Sequence, residues 1–290
     1  MTTASPNQSA QIQPASASLL RFENVTIRFD DVVAVNNVSF EMSAGETRVV
    51  LGSAGSGKTT LLKAAIGLIP IDSGSIFLLG RDITHLDERE LFSIRSQVGV
   101  LFQEGGLFDS LTIAENVAYP LVNRKKNELS PAEVETKVED ALRFVELSHT
   151  LDKYPNELSG GMRRRVGIAR AVITEPPLVL YDSPTAGLDP ITANTIMALI
   201  AKERDSLNAA NLIVTQRFQD GQLMANFRYN RMNGHLEPVH QDGRDPEGSN
   251  PTHTIFMVMK EGHLIFEGTQ ARLEASSDAY ISKFAPHHNN

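Results

Sequence analysis

The sequence predicts an α/β fold: a mainly parallel core sheet with helices packed against it. Three observations lead there. Short apolar segments that read as buried strands recur at 47–51, 178–181 and 212–215, and runs that are continuously apolar mark strands covered on both faces. Helical patterns separate them, the longest over about 104–160, and strands alternating with helices argue for a parallel sheet. The segment 47–51 also runs straight into a Gly-rich turn followed by a helix over 58–66.

The elements follow in chain order. Residues 1–18 are Ser, Ala, Gln, Pro and Thr without an apolar core, and read as a disordered tail with no secretory signal. From 19 to 80 the pattern is short strands between turns: Val32, Val33, Ala34 and Val35 in one, Val38, Ser39 and Phe40 in another, and 76–79 bounded by Gly74 and Gly80. Within 104–160, Ser130, Pro131 and Glu133 spell a helix start, with Ser130 as N-cap and Glu133 closing a capping box. Val134, Val138, Ala141, Leu142 and Val145 then recur at helical spacing and predict one face packed into the core. Residues 229–254 are rich in Asn, Gly, Pro and His and read as an atypical exposed loop, in which Asn233-Gly234 is suited to close a hairpin. Segments 255–259 and 264–266, joined around Gly262, read as a closing hairpin, 274–290 as a C-terminal tail, and its last residues 287–290 as solvated.

Composition narrows the function classes. The chain has 290 residues, of which 41% are hydrophobic, enough for a large core. Its 27 Lys and Arg against 35 Asp and Glu leave a net charge of -8, which argues against broad nucleic-acid binding, since that draws on basic residues to neutralise phosphates. Cysteine is absent, so there is neither a disulfide framework nor thiol chemistry. No apolar run reaches the roughly 20 residues that span a bilayer, and the expectation is a soluble, cytoplasmic protein.

One motif carries chemistry by itself. Gly52, Ser53, Ala54, Gly55, Ser56, Gly57, Lys58 and Thr59 fit G-x-x-x-x-G-K-[ST] at every position, between a strand and a helix. Glycines let the backbone turn its N–H groups toward phosphate oxygens, and the following helix adds its positive end. Lys58 is expected at the β- and γ-phosphates, and the Thr59 hydroxyl, with Thr60 beside it, at the nucleotide and its magnesium ion. The apolar strand 178–181 ending in Asp182 is the expected second magnesium element.

Between these two elements stands Leu158-Ser159-Gly160-Gly161-Met162. It resembles the signature of ABC-type ATPases, L-S-G-G-Q, with Met162 in place of Gln. Gln103 matches the family's Q-loop glutamine, which serves metal and catalysis; Ala186-Gly187-Leu188-Asp189 resembles the D-loop; and Phe29 stands where the family stacks an aromatic ring on adenine. The resemblance covers about 19–273 and implies a P-loop NTPase cassette with a parallel core sheet, an antiparallel β subdomain and an inserted α-helical subdomain. It further implies ATP and Mg2+ as cofactors. It implies a second ATP-binding subunit in a head-to-tail dimer, in which the Ser159, Gly160 and Gly161 end of one subunit closes over the γ-phosphate held by the other. It implies a membrane permease as partner and a peripheral place on the cytoplasmic face of the membrane. Residues 101–117, from Leu101-Phe102-Gln103 to Glu115-Asn116-Val117, and the run around Gly-Gly-Met-Arg-Arg-Arg are similar to the Mla/Mkl-type cassettes. These serve lipid transporters that carry an MCE-domain protein. Arg163, Arg164 and Arg165 read as a solvated or structural face.

Two positions depart from the family. Ser183 follows Asp182 where the family has the glutamate that polarises the attacking water, and Gln216 ends Ile213-Val214-Thr215-Gln216 where it has a histidine. Ser183 cannot accept a proton at neutral pH, and Gln216 carries no charge. Slow hydrolysis is therefore expected, with three explanations open: a naturally slow site, a deliberately altered one, or rescue by another residue. Two rival functions remain. A nucleotide-binding regulator that no longer turns over fits the two substitutions. A soluble repair or translation ATPase fits less well, because about 100 residues between Lys58 and Ser159 leave no space for a long coiled coil and the chain has a single cassette.

Overall fold

The structure, a computed structural model, describes residues 18–123, 129–239 and 252–285. Strands β1 (Ser18–Phe29) and β2 (Val32–Ser43) form an antiparallel hairpin, turning at Asp30 with a left-handed φ of 51°. The two strands expected at 32–35 and 38–40 are thus one. Asn37, at φ 50°, makes an irregularity between them rather than a break, its N–H held by Thr26 Oγ1 at 3.1 Å. Strand β3 (Thr47–Leu51) is wholly buried and leads through the Gly-rich turn to helix α1 (Lys58–Ala65). Strands β4 (Ser73–Leu78) and β5 (Arg81–Asp82) complete an antiparallel sheet in the order β2-β1-β4-β5.

Helix α2 (Glu88–Arg95) precedes β6 (Val98–Leu101). The helical subdomain follows: α3 (Ile113–Val122), capped by Thr112, and α4 (Pro131–Phe144), whose expected capping box between Ser130 and Glu133 is present. Val138, Leu142 and Val145 are buried and Val134 and Ala141 pack beside them, as the periodicity requires. Helix α5 (Gly160–Val172) joins this subdomain to β7 (Leu178–Asp182), α6 (Pro190–Leu207), β8 (Ala210–Thr215) and α7 (Phe218–Asn226).

The expected loop at 229–254 is built differently at both ends. Strands β9 (Phe227–Asn230) and β10 (His235–Pro238) form a hairpin over Asn233-Gly234, and Thr254 already belongs to β11 (Thr254–Lys260). The interior, 240–251, lies outside the described residues. Strands β11 and β12 (His263–Gly268) form the closing hairpin, and the six-stranded core sheet runs β12-β11-β3-β8-β7-β6, parallel except at β12.

Packing on the core continues past the boundary expected at 273. Beyond α8 (Gln270–Glu274), Ile281 and Ala285 are buried in a cluster with Val49, Leu51, Phe256 and Leu273. The spacing i, i+4 puts both on one face of a helical turn, so this segment docks on the sheet. Of the tail expected at 1–18, Ser18 opens β1, while 1–17, like the terminal 286–290, lie outside the described residues.

In the core behind β7, the Tyr181 hydroxyl donates to Glu203 Oε2 at 3.1 Å. Burial pushes the Glu203 carboxyl up to about 8, because desolvation disfavours the charged form.

Candidate nucleotide site

The site forms where β3, β7 and β8 end together. Their registers place Leu51 beside Thr215 and Asp182 beside Val214, so the phosphate loop, Asp182-Ser183 and Gln216 leave the sheet at one edge. Ligand sites of parallel sheets lie at this carboxyl end.

The loop is shaped by close backbone approaches. Gly57 caps α1 with a left-handed φ of 100°, and a Cβ there would lie 2.2 Å from the Ala34 carbonyl oxygen. A Cβ at Gly52 would lie 2.5 Å from the Met259 carbonyl oxygen. Gly55, with φ 75°, faces open space on the cradle side. The β11–β12 turn supports the loop from below: Gly262 N–H donates to Ser56 O at 3.2 Å, and Asn36 N–H donates to Gly262 O at 2.9 Å.

The Lys58 ammonium donates to Gly52 O at 2.8 Å, Ser53 O at 2.7 Å and Ser56 Oγ at 3.2 Å, all neutral acceptors. Burial lowers its pKa, and the Asp182 charge works in the opposite direction. Thr59 Oγ1 donates to Asp182 Oδ1 at 3.2 Å, and the Ser183 hydroxyl donates to the same oxygen at 3.1 Å. Asp182 is buried. A buried carboxylate met by hydroxyls, beside an ammonium met only by neutral oxygens under an open Gly-rich cradle, suits a divalent cation and a polyphosphate. The residues fit both ATP and Mg2+.

The other expected site residues are distributed as follows. Thr60 is half-buried in the first turn of α1, and Ser53 and Ala54 are exposed on the loop. Phe29, 46% exposed, ends β1 on the hairpin whose Ala34 carbonyl abuts Gly57. Gln103 is exposed after β6 and opens a short 3-10 turn in which Glu104 has a left-handed φ of 64°. Gln216 is exposed after β8. Ser159 and Asp189 instead cap α5 and α6: Ser159 Oγ accepts from Met162 N–H at 3.3 Å, and Asp189 accepts from Ile191 and Thr192 N–H at 3.0 Å. Among the described residues neither hydrogen-bonds the phosphate loop. The two caps are neighbours, since a Cβ on Gly161 would lie 2.6 Å from Thr192 Cγ2.

Residues 35–186, more than half of the chain, match the ABC transporter family. The chain belongs to that family. A probable ribonucleotide transport ATP-binding protein, mkl, of Mycobacterium leprae is 40% identical over 179 residues, covering 62% of this chain and 51% of that protein. The chain therefore spans about half the length of that relative. The intermembrane phospholipid transport ATP-binding protein MlaF of Haemophilus influenzae is 34% identical over 212 residues, 73% of this chain and 80% of that protein. A methionine import ATP-binding protein, MetN, of Brucella abortus is 38% identical over 200 residues, 69% of this chain and 53% of that protein. Among solved structures, the dimeric ATP-binding cassette MJ0796, in a post-hydrolysis state with ADP and Pi, superposes with a TM-score of 0.71 at 27% identity, covering 86% of this chain and 98% of that one.

Against this ABC cassette fold, the three arginines of α5 are structural. Arg164 is buried and donates to Ala186 O, Arg163 donates to Leu158 O at 2.6 Å, and Arg165 to Val145 O at 3.2 Å. Sequence reading missed a clamp behind the site. The buried Asp220 Oδ2 accepts from Thr185 Oγ1 at 2.6 Å and from Thr215 Oγ1 at 2.7 Å. It thereby ties the loop after Ser183 to the strand end before Gln216. Burial raises the Asp220 carboxyl, opposed by those two hydroxyls. Its only sequence signal is a carboxylate in the first turn of α7.

Proposed function

We propose that this chain is the ATP-binding subunit of an ABC transporter, acting as one half of a head-to-tail dimer beneath a membrane permease. The observation that carries this reading is the meeting of Thr59 with Asp182 at 3.2 Å under the phosphate loop, while the Ser159-capped end of α5 stands exposed elsewhere. Thr59 and Asp182 would hold Mg2+, which would supply positive charge to offset that of the phosphates. Lys58 places its ammonium on the β- and γ-phosphates, and the amides of 55–59 line the cradle. A loop of this kind wraps one side of a triphosphate, and the free N–H groups of Gly160 and Gly161 of a second copy are suited to close the other.

Light scattering tests the half-site. The full chain with Mg-ATP is expected to run at twice its mass. Gly160→Glu, whose side chain enters open space beside Arg163 and opposes a γ-phosphate with negative charge, is expected to stay monomeric. A parent that stays monomeric at saturating nucleotide, alone and with its permease, sinks the dimer.

Lipid transport is the finer reading, supported by the 101–117 segment and the phospholipid-transport relative. A groove of about 830 Å³ beside this segment is lined by Phe92, Phe102, Phe108 and Tyr119, and Phe108 and Tyr119 pack at 4.6 Å. It suits an apolar segment of a permease that works with an MCE-domain protein. Within the segment the contact falls on the Phe108 side. Asn116 is buried, accepting from Phe108 N–H at 2.8 Å and donating to the Phe108, Leu111 and Thr112 carbonyls, so it holds the loop's shape. A photo-crosslinker at Tyr119, used in native membranes, is expected to label an integral membrane protein; labelling only soluble proteins counts against the groove. Among the described residues no helix is long and apolar enough to cross a membrane, and attachment to the cytoplasmic face then runs through this partner.

Hydrolysis is weakened in this reading, because Ser183 and Gln216 stand where water is activated. The same two residues favour the rival regulator, and turnover decides between them.

A further inference from the structure

We propose that Tyr280, in the C-terminal segment, is a positioning residue that latches the phosphate loop in its binding shape and makes that segment respond to nucleotide. Three contacts converge on its hydroxyl: Ser53 N–H at 3.2 Å, Ser53 Oγ at 3.0 Å and Met259 O at 3.2 Å. A phenol has one proton and two lone pairs. Met259 O can only accept and Ser53 N–H can only donate, so the Ser53 hydroxyl donates as well, and the Tyr280 hydroxyl is fully used. The Ser53 carbonyl in turn accepts from Lys58 at 2.7 Å. One residue, Ser53, thus joins the C-terminal segment to the ammonium expected on the phosphates.

The segment is built to hold that hydroxyl in place. The Asp278 carboxylate accepts from Tyr280 N–H at 2.8 Å and Ile281 N–H at 3.0 Å, starting the turn. Ile281 and Ala285 anchor it in the core, Phe284 meets the Tyr280 ring edge-on at 5.3 Å, and the Lys260 ammonium sits 5.3 Å from the ring centroid. A loop held in its binding shape loses less conformational freedom when it takes a ligand. By linkage, nucleotide must then tighten the latch by the same factor that the latch tightens nucleotide.

The test uses the full chain and Tyr280→Phe, which keeps the ring and removes the hydroxyl. Mg-ADP affinity by calorimetry is expected to fall roughly 3- to 10-fold, the scale of one or two lost hydrogen bonds. Hydrogen exchange supplies a readout that a merely structural role would not move. The amides of Ser282, Lys283 and Phe284, bonded to Asp278, Tyr280 and Ile281 carbonyls, are expected to slow on Mg-ADP binding in the parent and not in Tyr280→Phe. Should Tyr280→Phe loosen the segment with and without nucleotide, Ser53→Ala, altered only on the loop side, is expected to lose part of the nucleotide-dependent slowing. The inference rests on nucleotide binding at this loop. A parent that binds no Mg-ADP overturns both, whereas a parent that binds it, with unchanged affinity and protection in Tyr280→Phe, overturns the latch alone.

Discussion

Ser183→Glu is expected to raise ATP turnover by about 10²-fold or more, the lower end of what a positioned general base supplies. In the structure the Ser183 hydroxyl is spent on Asp182 at 3.1 Å and has no basic lone pair to offer water at neutral pH. The backbone there is well anchored. Ser183 N–H donates to Val214 O at 2.8 Å, and the following Thr185 is tied through Asp220 to Thr215. Ser183 has a left-handed φ of 50°, but serine and glutamate both carry a Cβ, so the substitution adds little of the roughly 1–2 kcal/mol that this region costs. The new carboxylate lies beside Asp182 and destabilises the metal-free chain slightly; bound Mg2+ offsets that repulsion. Adding Gln216→His at an exposed position restores a group able to bond the γ-phosphate and is expected to increase the rate further. Both effects belong in kcat rather than in affinity, because the groups act on the transition state. The measurement is steady-state ATPase of parent and both variants with the permease present. A parent turning over several times per second, unchanged by Ser183→Glu, assigns the base to another residue.

Lys58→Ala is expected to weaken Mg-ATP binding roughly 10- to 150-fold, the range spanned by hydrogen bonds to a charged group. The ammonium also ties Gly52 O, Ser53 O and Ser56 Oγ together, so its loss slackens the loop besides removing charge. The pH dependence has a definite sign. Burial holds the Lys58 pKa below its ordinary value of 10.5, and phosphates favour the protonated form, so affinity falls as pH rises through the lowered pKa. Stability moves the other way in that window, since the unfolded chain binds the extra proton and the fold gains as pH rises. Calorimetry of parent and Lys58→Ala between neutral and alkaline pH checks both. Equal affinity in the two chains removes Lys58 from the site.

Much of this was legible in the sequence, for a physical reason. The phosphate loop acts through contiguous backbone amides and one adjacent side chain, so its eight residues determine it almost alone. The capping box at Ser130 and Glu133 and the Asn233-Gly234 turn are equally local, and the buried strands β3, β7 and β8 announce themselves by short apolar runs, Val49 to Leu51, Leu178 to Tyr181 and Leu212 to Val214. What only the tertiary structure decided are contacts whose partners lie far apart in the chain. Thr59 and Asp182, separated by 123 residues, meet because β3, β8 and β7 pair in parallel and end at one edge. Asp220 clamps two loops across the same edge. Asn37 turns two apparent strands into one because its hydrogen bond is to Thr26 on the neighbouring strand. Residues 275–285 read as a tail because a single turn has too short an apolar pattern to stand out. The face of β3 and β11 that carries Val49, Leu51 and Phe256 gives Ile281 and Ala285 somewhere to be buried, and that burial carries Tyr280 to the phosphate loop.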